Sequence, residues 1–202
     1  NLRLAGSLHR LGIPVVYYVC PQVWAWRSGR LRVLKRLVDR ALVIFPFEAA
    51  IYRDAGIPVE FVGHPLLDLT PAPAGRDACA AEWGLDGSAP TVALLPGSRP
   101  NELRATLPTL AAAVPRIAAR VPGVQFVVAR APHLSDALFD PLRGVGGSRI
   151  AEIAGRTDDV LGASDVVVTA SGTATVQTAI HERPMVIVYR LSPLTYRLGK
   201  RF

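Results

Sequence analysis

Two strand-to-helix turns constrain this chain more than anything else in it. They are Leu94-Leu95-Pro96-Gly97-Ser98-Arg99 and Ala170-Ser171-Gly172-Thr173-Ala174. Each follows a short apolar run of strand character (residues 91–95 and 166–169) and opens a predicted helix. In an open α/β sheet, ligands bind in the crevice beyond the carboxyl ends of the strands. A helix that starts there aims backbone N–H groups and a partial positive charge at whatever occupies it. Gly97 and Gly172 permit close backbone approach, and Arg99 offers a planar fork to phosphate oxygens. Two such turns in one sheet predict a diphosphate site.

The rest of the chain fits a parallel, doubly wound architecture. Residues 15–20, 41–45 and 60–62 read as strands, separated by a basic amphipathic helix and a shorter helix over 48–55. The stretch 70–75 (T-P-A-P-A-G) breaks the pattern and reads as a linker. Alternation then resumes with a helix over 77–83, the strand before Pro96, and a helix over 102–119 that Pro108 and Pro115 are expected to bend or break in two. Strands over 124–129, 166–169 and 185–189 complete the second set, and residues 140–148 read as Gly-rich loop. This is the βαβ pattern of two Rossmann-like sheets. Only three strands precede the linker, so the predicted division is an incomplete domain over 1–69, a linker over 70–75 and most of a second domain over 76–202.

Composition excludes several classes. Among 202 residues, 50% are apolar, yet no run approaches the ~18 needed for a spanning helix. Residues 1–4 (N-L-R-L) lack the sections of a signal peptide, and without an initial Met the sequence reads as an internal piece of a longer one. Cys20 and Cys79 are too few for a disulfide framework and lack metal-ligand spacing, and read as buried thiols in a reducing compartment. No Asp-x-Asp, His/Cys cluster or Walker A sequence is present, so neither metal nor cofactor is expected. Gly144-Val145-Gly146-Gly147 lacks the strand and helix of a dinucleotide fingerprint.

The net charge of +7 concentrates at Arg27, Arg30, Arg32, Lys35, Arg36 and Arg40, with Arg197, Lys200 and Arg201 at the other end. Leu31, Leu34 and Val38 place one apolar stripe beneath the first cluster. Two readings stand: a solvated helix face, or contact with anionic headgroups and phosphorylated substrates. No nucleic-acid recognition motif accompanies it. Trp24 and Trp26 fall on one side of a non-helical stretch and suit either core or acyl-chain contact. Glu48 reads as capping its helix, and the Asp158-Asp159 pair as carboxylates that cap a helix start and complement its dipole. Glu102 reads as a first-turn carboxylate or as an orienter of Arg99, and Ser98 as a turn residue, since no His/Asp partner is signalled nearby. His64, ending a strand at the expected interdomain crossing, reads as a structural hinge contact rather than a substrate-binding residue. His9 and His133 lack motif context and read as surface residues.

The residues also carry a family resemblance. Residues 18–27 (Y-V-C-P-Q-V-W-A-W-R), Phe45-Pro46-Phe47-Glu48, Val62-Gly63-His64-Pro65, residues 94–99 with Glu102, residues 170–174, and Pro184-Met185-Val186 with Tyr189-Arg190 resemble, collinearly, the lipid-A-disaccharide synthases. V-W-A-W-R is the specific signal; the two turns alone indicate only the broader GT-B glycosyltransferase class. The resemblance implies a GT-B fold and an inverting transfer of diacylglucosamine from UDP-diacylglucosamine to lipid X (diacylglucosamine-1-phosphate). It implies leaving-group stabilisation by Arg99 and donor binding by Gly97, Ser98, Glu102, Ser171, Gly172, Thr173 and Gln177, without a metal. Trp24 and Trp26 would serve the acyl chains, and the protein would sit peripherally on the cytoplasmic face of the inner membrane. Two departures stand out. Gln177 occupies a position where the family places a ribose-binding Glu. The family's expected general base, an Asp in Gly-x-Asp-x-Pro-x-Phe-Asn, would lie just before Asn1, so this stretch alone is expected not to catalyse. Other readings are a different GT-B enzyme, such as a UDP-sugar epimerase or a transferase with a soluble acceptor, and a non-catalytic nucleotide-binding module.

Overall fold

The computed structural model describes residues 1–23 and 29–190. Trp24, Trp26, Arg27, Arg197, Lys200 and Arg201 lie outside the described residues. The chain divides into two units, Asn1–Leu69 and Thr70–Phe202.

The first unit runs α1 (Leu2–Arg10), β1 (Val16–Tyr18), α2 (Arg30–Leu37), β2 (Arg40–Val43), α3 (Pro46–Asp54), β3 (Val59–Phe61) and α4 (Leu66–Leu69), with its parallel strands in the order β1-β2-β3. Helix α1 has no counterpart in the sequence reading. Helix α2 buries Leu34 and keeps Arg32, Lys35 and Arg36 exposed. Arg40 does not share that basic face. It lies in β2 and pairs with Glu60 of β3 at 3.2 Å. Val38 is buried but extended, because the chain has left the helix to enter β2. Glu48 is almost fully buried, and its Oε2 accepts from the amides of Ile44 (3.3 Å) and Phe45 (3.1 Å), closing the start of α3. Burial raises the Cys20 thiol to about 11, so Cys20 is a core thiol at neutral pH.

The second unit runs α5 (Arg76–Trp83), β4 (Thr91–Leu95), α6 (Pro100–Ala118), β5 (Gln125–Arg130), β6 (Ile150–Ala154), α7 (Thr157–Gly162), β7 (Val166–Ala170), α8 (Thr173–Ile180) and β8 (Met185–Val188). Its five strands are parallel in the order β6-β5-β4-β7-β8. Beneath α6, Leu94, Phe126 and Val128 pack with Leu103, Leu107, Leu110 and Val114; the opposite sheet face packs Ala93, Val127 and Val167 with Val160 and Leu161 of α7.

Three expectations are corrected. First, α6 is one continuous 19-residue helix, with Pro108 and Pro115 inside it. The prolines are seven residues apart on the exposed face, opposite the buried Leu103, Leu107, Leu110 and Val114. Four buried side chains contribute about 1.5–3 kcal/mol each. That outweighs about 3 kcal/mol for each interior proline, a cost lowered further where water can reach the freed carbonyls. Second, residues 140–148 are not plain loop. They join two 3₁₀ segments, Asp136–Leu142 and Val145–Gly147, because Phe139 and Leu142 are drawn fully into the core against α6. Third, the Asp158-Asp159 pair lies in the first turn of α7 but makes no side-chain cap. Asp158 pairs with His181 at 2.8 Å, while Asp159 accepts from the Ala74 amide (2.7 Å) and from Arg156 (2.7 Å). The Ala74 amide is the main cause of an Asp159 pKa below the usual range.

Residues 70–75 carry no helix or strand, yet they are pinned to the second unit. Besides the Ala74–Asp159 bond, Pro73 packs so closely on Gly162 that a Cβ there would overlap it. Arg76 then donates to Gly87 O, Ala89 O and both Asp165 oxygens, and Asp165 Oδ2 accepts from the Thr91 amide at 2.8 Å. The start of β4, the central strand, is thereby fixed by a bidentate Arg–carboxylate pair.

Candidate functional site

The strand order of the second unit reverses at β4: the chain proceeds outward through β5 and β6, then returns to add β7 and β8 on the other side. The crevice beyond the carboxyl ends of β4 and β7 is therefore the topological switch point, where doubly wound sheets bind ligands. A cleft of about 280 Å³ opens there. One wall is the turn after β4, with Gly97, Ser98, Arg99 and Glu102. Facing it is the turn after β7, with Ser171, Gly172 and Thr173, and Gln177 follows along α8. The second unit thus brings together all eight of its sequence-predicted site residues.

The β4 turn is built by α6. Thr106 Oγ1 lies 2.7 Å from Pro96 O and 2.8 Å from Glu102 O, tying the turn to the second turn of the helix. Gly97 has φ +118°, a conformation side-chain-bearing residues rarely adopt. Glu102 Oε2 accepts from the Ser98 amide at 3.3 Å, and Oε1 accepts from Arg99 Nη1 at 2.5 Å. The two readings of Glu102 are therefore one arrangement: a first-turn carboxylate that orients the guanidinium. The Arg99 side chain remains 76% exposed, so most of its fork is open to a ligand. Arg99 itself is the extended N-cap residue, and Pro100 starts the helix, where its missing N–H costs nothing.

On the other side, Ser171 N donates to Val188 O at 3.3 Å, and Gly172 precedes α8. Gly172 O accepts from both the amide and the hydroxyl of Thr175. Helix geometry leaves the amides of Thr173 and Ala174 without intrahelical acceptors, and both residues line the cleft. Together, a guanidinium and a helix N-terminus face one small cleft. That is chemistry for an anion with several oxygens.

The sequence reading missed Ala129, Ala131 and Thr157, which also line the cleft. Ala129 lies near the end of β5 and Ala131 just after it, while Thr157 follows β6, and β6 itself was not legible. It also placed His133 on the surface with no role. His133 is exposed, but its Nε2 lies 3.0 Å from Ser98 O. His64 belongs to the first unit, where its Nδ1 accepts from the Leu66 amide at 3.2 Å and its ring lies against Phe45, a contact that starts α4. Trp24 and Trp26 lie outside the described residues. Among the described residues, no group of three or more His, Cys, Asp or Glu side chains is arranged to hold a metal ion, and no helix is long and apolar enough to cross a membrane.

Comparison with solved structures defines the class. The UDP co-structure of Staphylococcus aureus MnaA superposes with a TM-score of 0.68 at 11% identity, covering 96% of this chain and 57% of that one. The UDP-GlcNAc 2-epimerase from Neisseria meningitidis, bound to UDP-GlcNAc, gives 0.63 at 11% identity, covering 98% and 59%. The fold is that of the GT-B enzymes. Within that class, the lipid-A-disaccharide synthetase family model matches residues 1–202, and the chain belongs to that family. The lipid-A-disaccharide synthase of Myxococcus xanthus is 47% identical over 201 residues, 99% of this chain and 52% of that protein. The chain spans about half the length of the curated relatives it matches.

Proposed function

We propose that the protein carrying this chain is a lipid-A-disaccharide synthase, with the cleft of the second unit as its UDP-diacylglucosamine site. The observation that carries the reading is the convergence of Arg99 and the start of α8 on the topological switch point, in a chain of this family. In the reaction, the bond between the donor's anomeric carbon and the β-phosphate oxygen breaks. A glycosidic bond forms to the primary hydroxyl of lipid X, the hydroxyl proton passes to a base, and UDP departs. The departing diphosphate gains charge as that bond breaks. Arg99, held by Glu102, and the first amides of α8 are preorganised donors for that charge, the arrangement that lowers such barriers most. Gln177 is the candidate partner for the ribose hydroxyls.

The same reading places the protein peripherally on the cytoplasmic face of an anionic membrane. Arg32, Lys35 and Arg36 on the exposed side of α2 support it, since each basic residue near such a surface adds about 1 kcal/mol. Acyl-chain contact by Trp24 and Trp26 is part of the proposal.

The test is a transfer assay on the full-length protein with UDP-diacylglucosamine and lipid X in excess chelator, with the products identified by mass spectrometry. The expected result is the tetraacyl disaccharide phosphate and UDP in equal amounts, with no requirement for added cation. Epimerised or hydrolysed donor without disaccharide would sink the reading, and restoration by magnesium would overturn the role given to Arg99 and α8.

Gln177 allows a separate check. An amide oxygen accepts from ribose hydroxyls without charge, whereas a carboxylate accepts more strongly. Gln177→Glu is therefore expected to leave UDP binding unchanged or tighten it by up to about tenfold. A calorimetric titration showing marked weakening would place Gln177 away from the ribose.

A further inference from the structure

We infer that His133 is a positioning residue of this cleft, acting through the Ser98–Arg99 peptide; the inference rests on the reading of the cleft as the UDP site. The Pro-Gly-Ser-Arg turn has two successive peptide groups whose orientation decides where Arg99 emerges. Glu102 fixes the first through the Ser98 amide. The second is fixed from outside α6 altogether, by His133 Nε2 at 3.0 Å from Ser98 O. A carbonyl oxygen only accepts, so Nε2 carries the proton and donates. In a trans peptide the carbonyl and the following amide point in opposite directions. Holding Ser98 O therefore also sets the direction of the Arg99 amide and the exit of its side chain.

The loop that carries His133 is itself built to hold it there. It leaves the carboxyl end of β5, and Leu134 N donates to Ala131 O at 3.0 Å in a tight turn. Leu134 is buried in the α6 core, and Pro132 packs near Gly155. An exposed imidazole on a loose loop would spend little time in one hydrogen bond. Here Leu134, the next residue, is anchored in that core, which limits how far the ring can stray from Ser98. The carboxylate from α6 and the imidazole from the β5 loop thus grip the turn from two different elements.

The experiment is UDP titration by calorimetry on the full-length wild type, His133→Leu, His133→Gln and Arg99→Ala, with melting temperatures recorded for each. Leucine fills the space without a donor, whereas glutamine restores an N–H of similar reach. His133→Leu is expected to weaken UDP binding about three- to tenfold with an unchanged melting temperature, and His133→Gln to recover to within about twofold of wild type, the range of one hydrogen bond. Wild-type affinity in His133→Leu, with Arg99→Ala weakened, would overturn the role of His133 and leave the site reading standing. Equal weakening in the Leu and Gln variants would also overturn it, since the donated hydrogen bond would not be the cause. Absence of UDP binding by the wild type would overturn the inference together with the site it rests on.

Discussion

Replacing Arg99 with alanine in the full-length protein is expected to lower transfer turnover by more than an order of magnitude while the fold survives. The guanidinium is largely exposed and pairs with Glu102, three residues on. Exposed pairs of that kind contribute about 0–1 kcal/mol to stability, so the melting temperature should hardly move. The functional loss has two parts. A charge-assisted contact to the diphosphate, worth about 1.5–3 kcal/mol or more in the transition state, disappears. In addition, Glu102 is left as an uncompensated carboxylate at the mouth of an anion site, where like charge opposes the donor. Arg99→Lys should recover part of the rate, since an ammonium keeps the charge but not the planar fork that bridges two oxygens. Steady-state kinetics at saturating donor check both variants. Near-normal turnover in Arg99→Ala would remove Arg99 from the mechanism.

The parts of this site that were legible in the sequence share one physical origin. Parallel strands buried on both faces read as continuous apolar runs, and Pro96-Gly97 and Ser171-Gly172 mark where those runs end. Both walls of the cleft, and Gln177 along α8, follow from that local pattern. What stayed hidden depends on contacts between distant segments. Strand β6 is an edge strand with Glu152 in its middle and only partial burial, so its alternation is too weak to see. Thr157 in the cleft was lost with it. The continuity of α6 through two prolines is decided by the Leu/Val stripe beneath it, not by local propensity. His133 meets Ser98 across 35 residues, and Ala74 meets Asp159 across 85. No spacing rule connects those pairs. Arg40 neighbours the basic helix in sequence, while its backbone already belongs to β2.

Gly97→Ala carries the other large expected effect, and it separates backbone geometry from charge. At φ +118° an L-residue is strained by about 1–3 kcal/mol wherever space allows it. Space does not allow it here. A Cβ on Gly97 would lie 2.9 Å from Glu102 Oε2 and 3.1 Å from Glu102 Cβ. The carboxylate end can swing away, but the Cβ is fixed by α6, so either the turn or the first turn of the helix must shift. Swinging the carboxylate also releases the two groups it holds, the Ser98 amide and the Arg99 guanidinium. The variant is expected to melt roughly 2–10 °C lower, from the backbone strain alone. It should also lose UDP affinity and turnover by more than an order of magnitude, because both the turn and Arg99 are displaced. Pairing the change with Glu102→Ala removes the contact with the carboxylate but leaves the contact with the Cβ at position 102, the backbone strain and the loss of orientation. The double variant should therefore regain some melting temperature and almost no activity. Turnover close to wild type in Gly97→Ala would mean that the β4 turn does not shape the donor site. Recovery of activity in the double variant would mean that Glu102 obstructs Arg99 rather than orienting it.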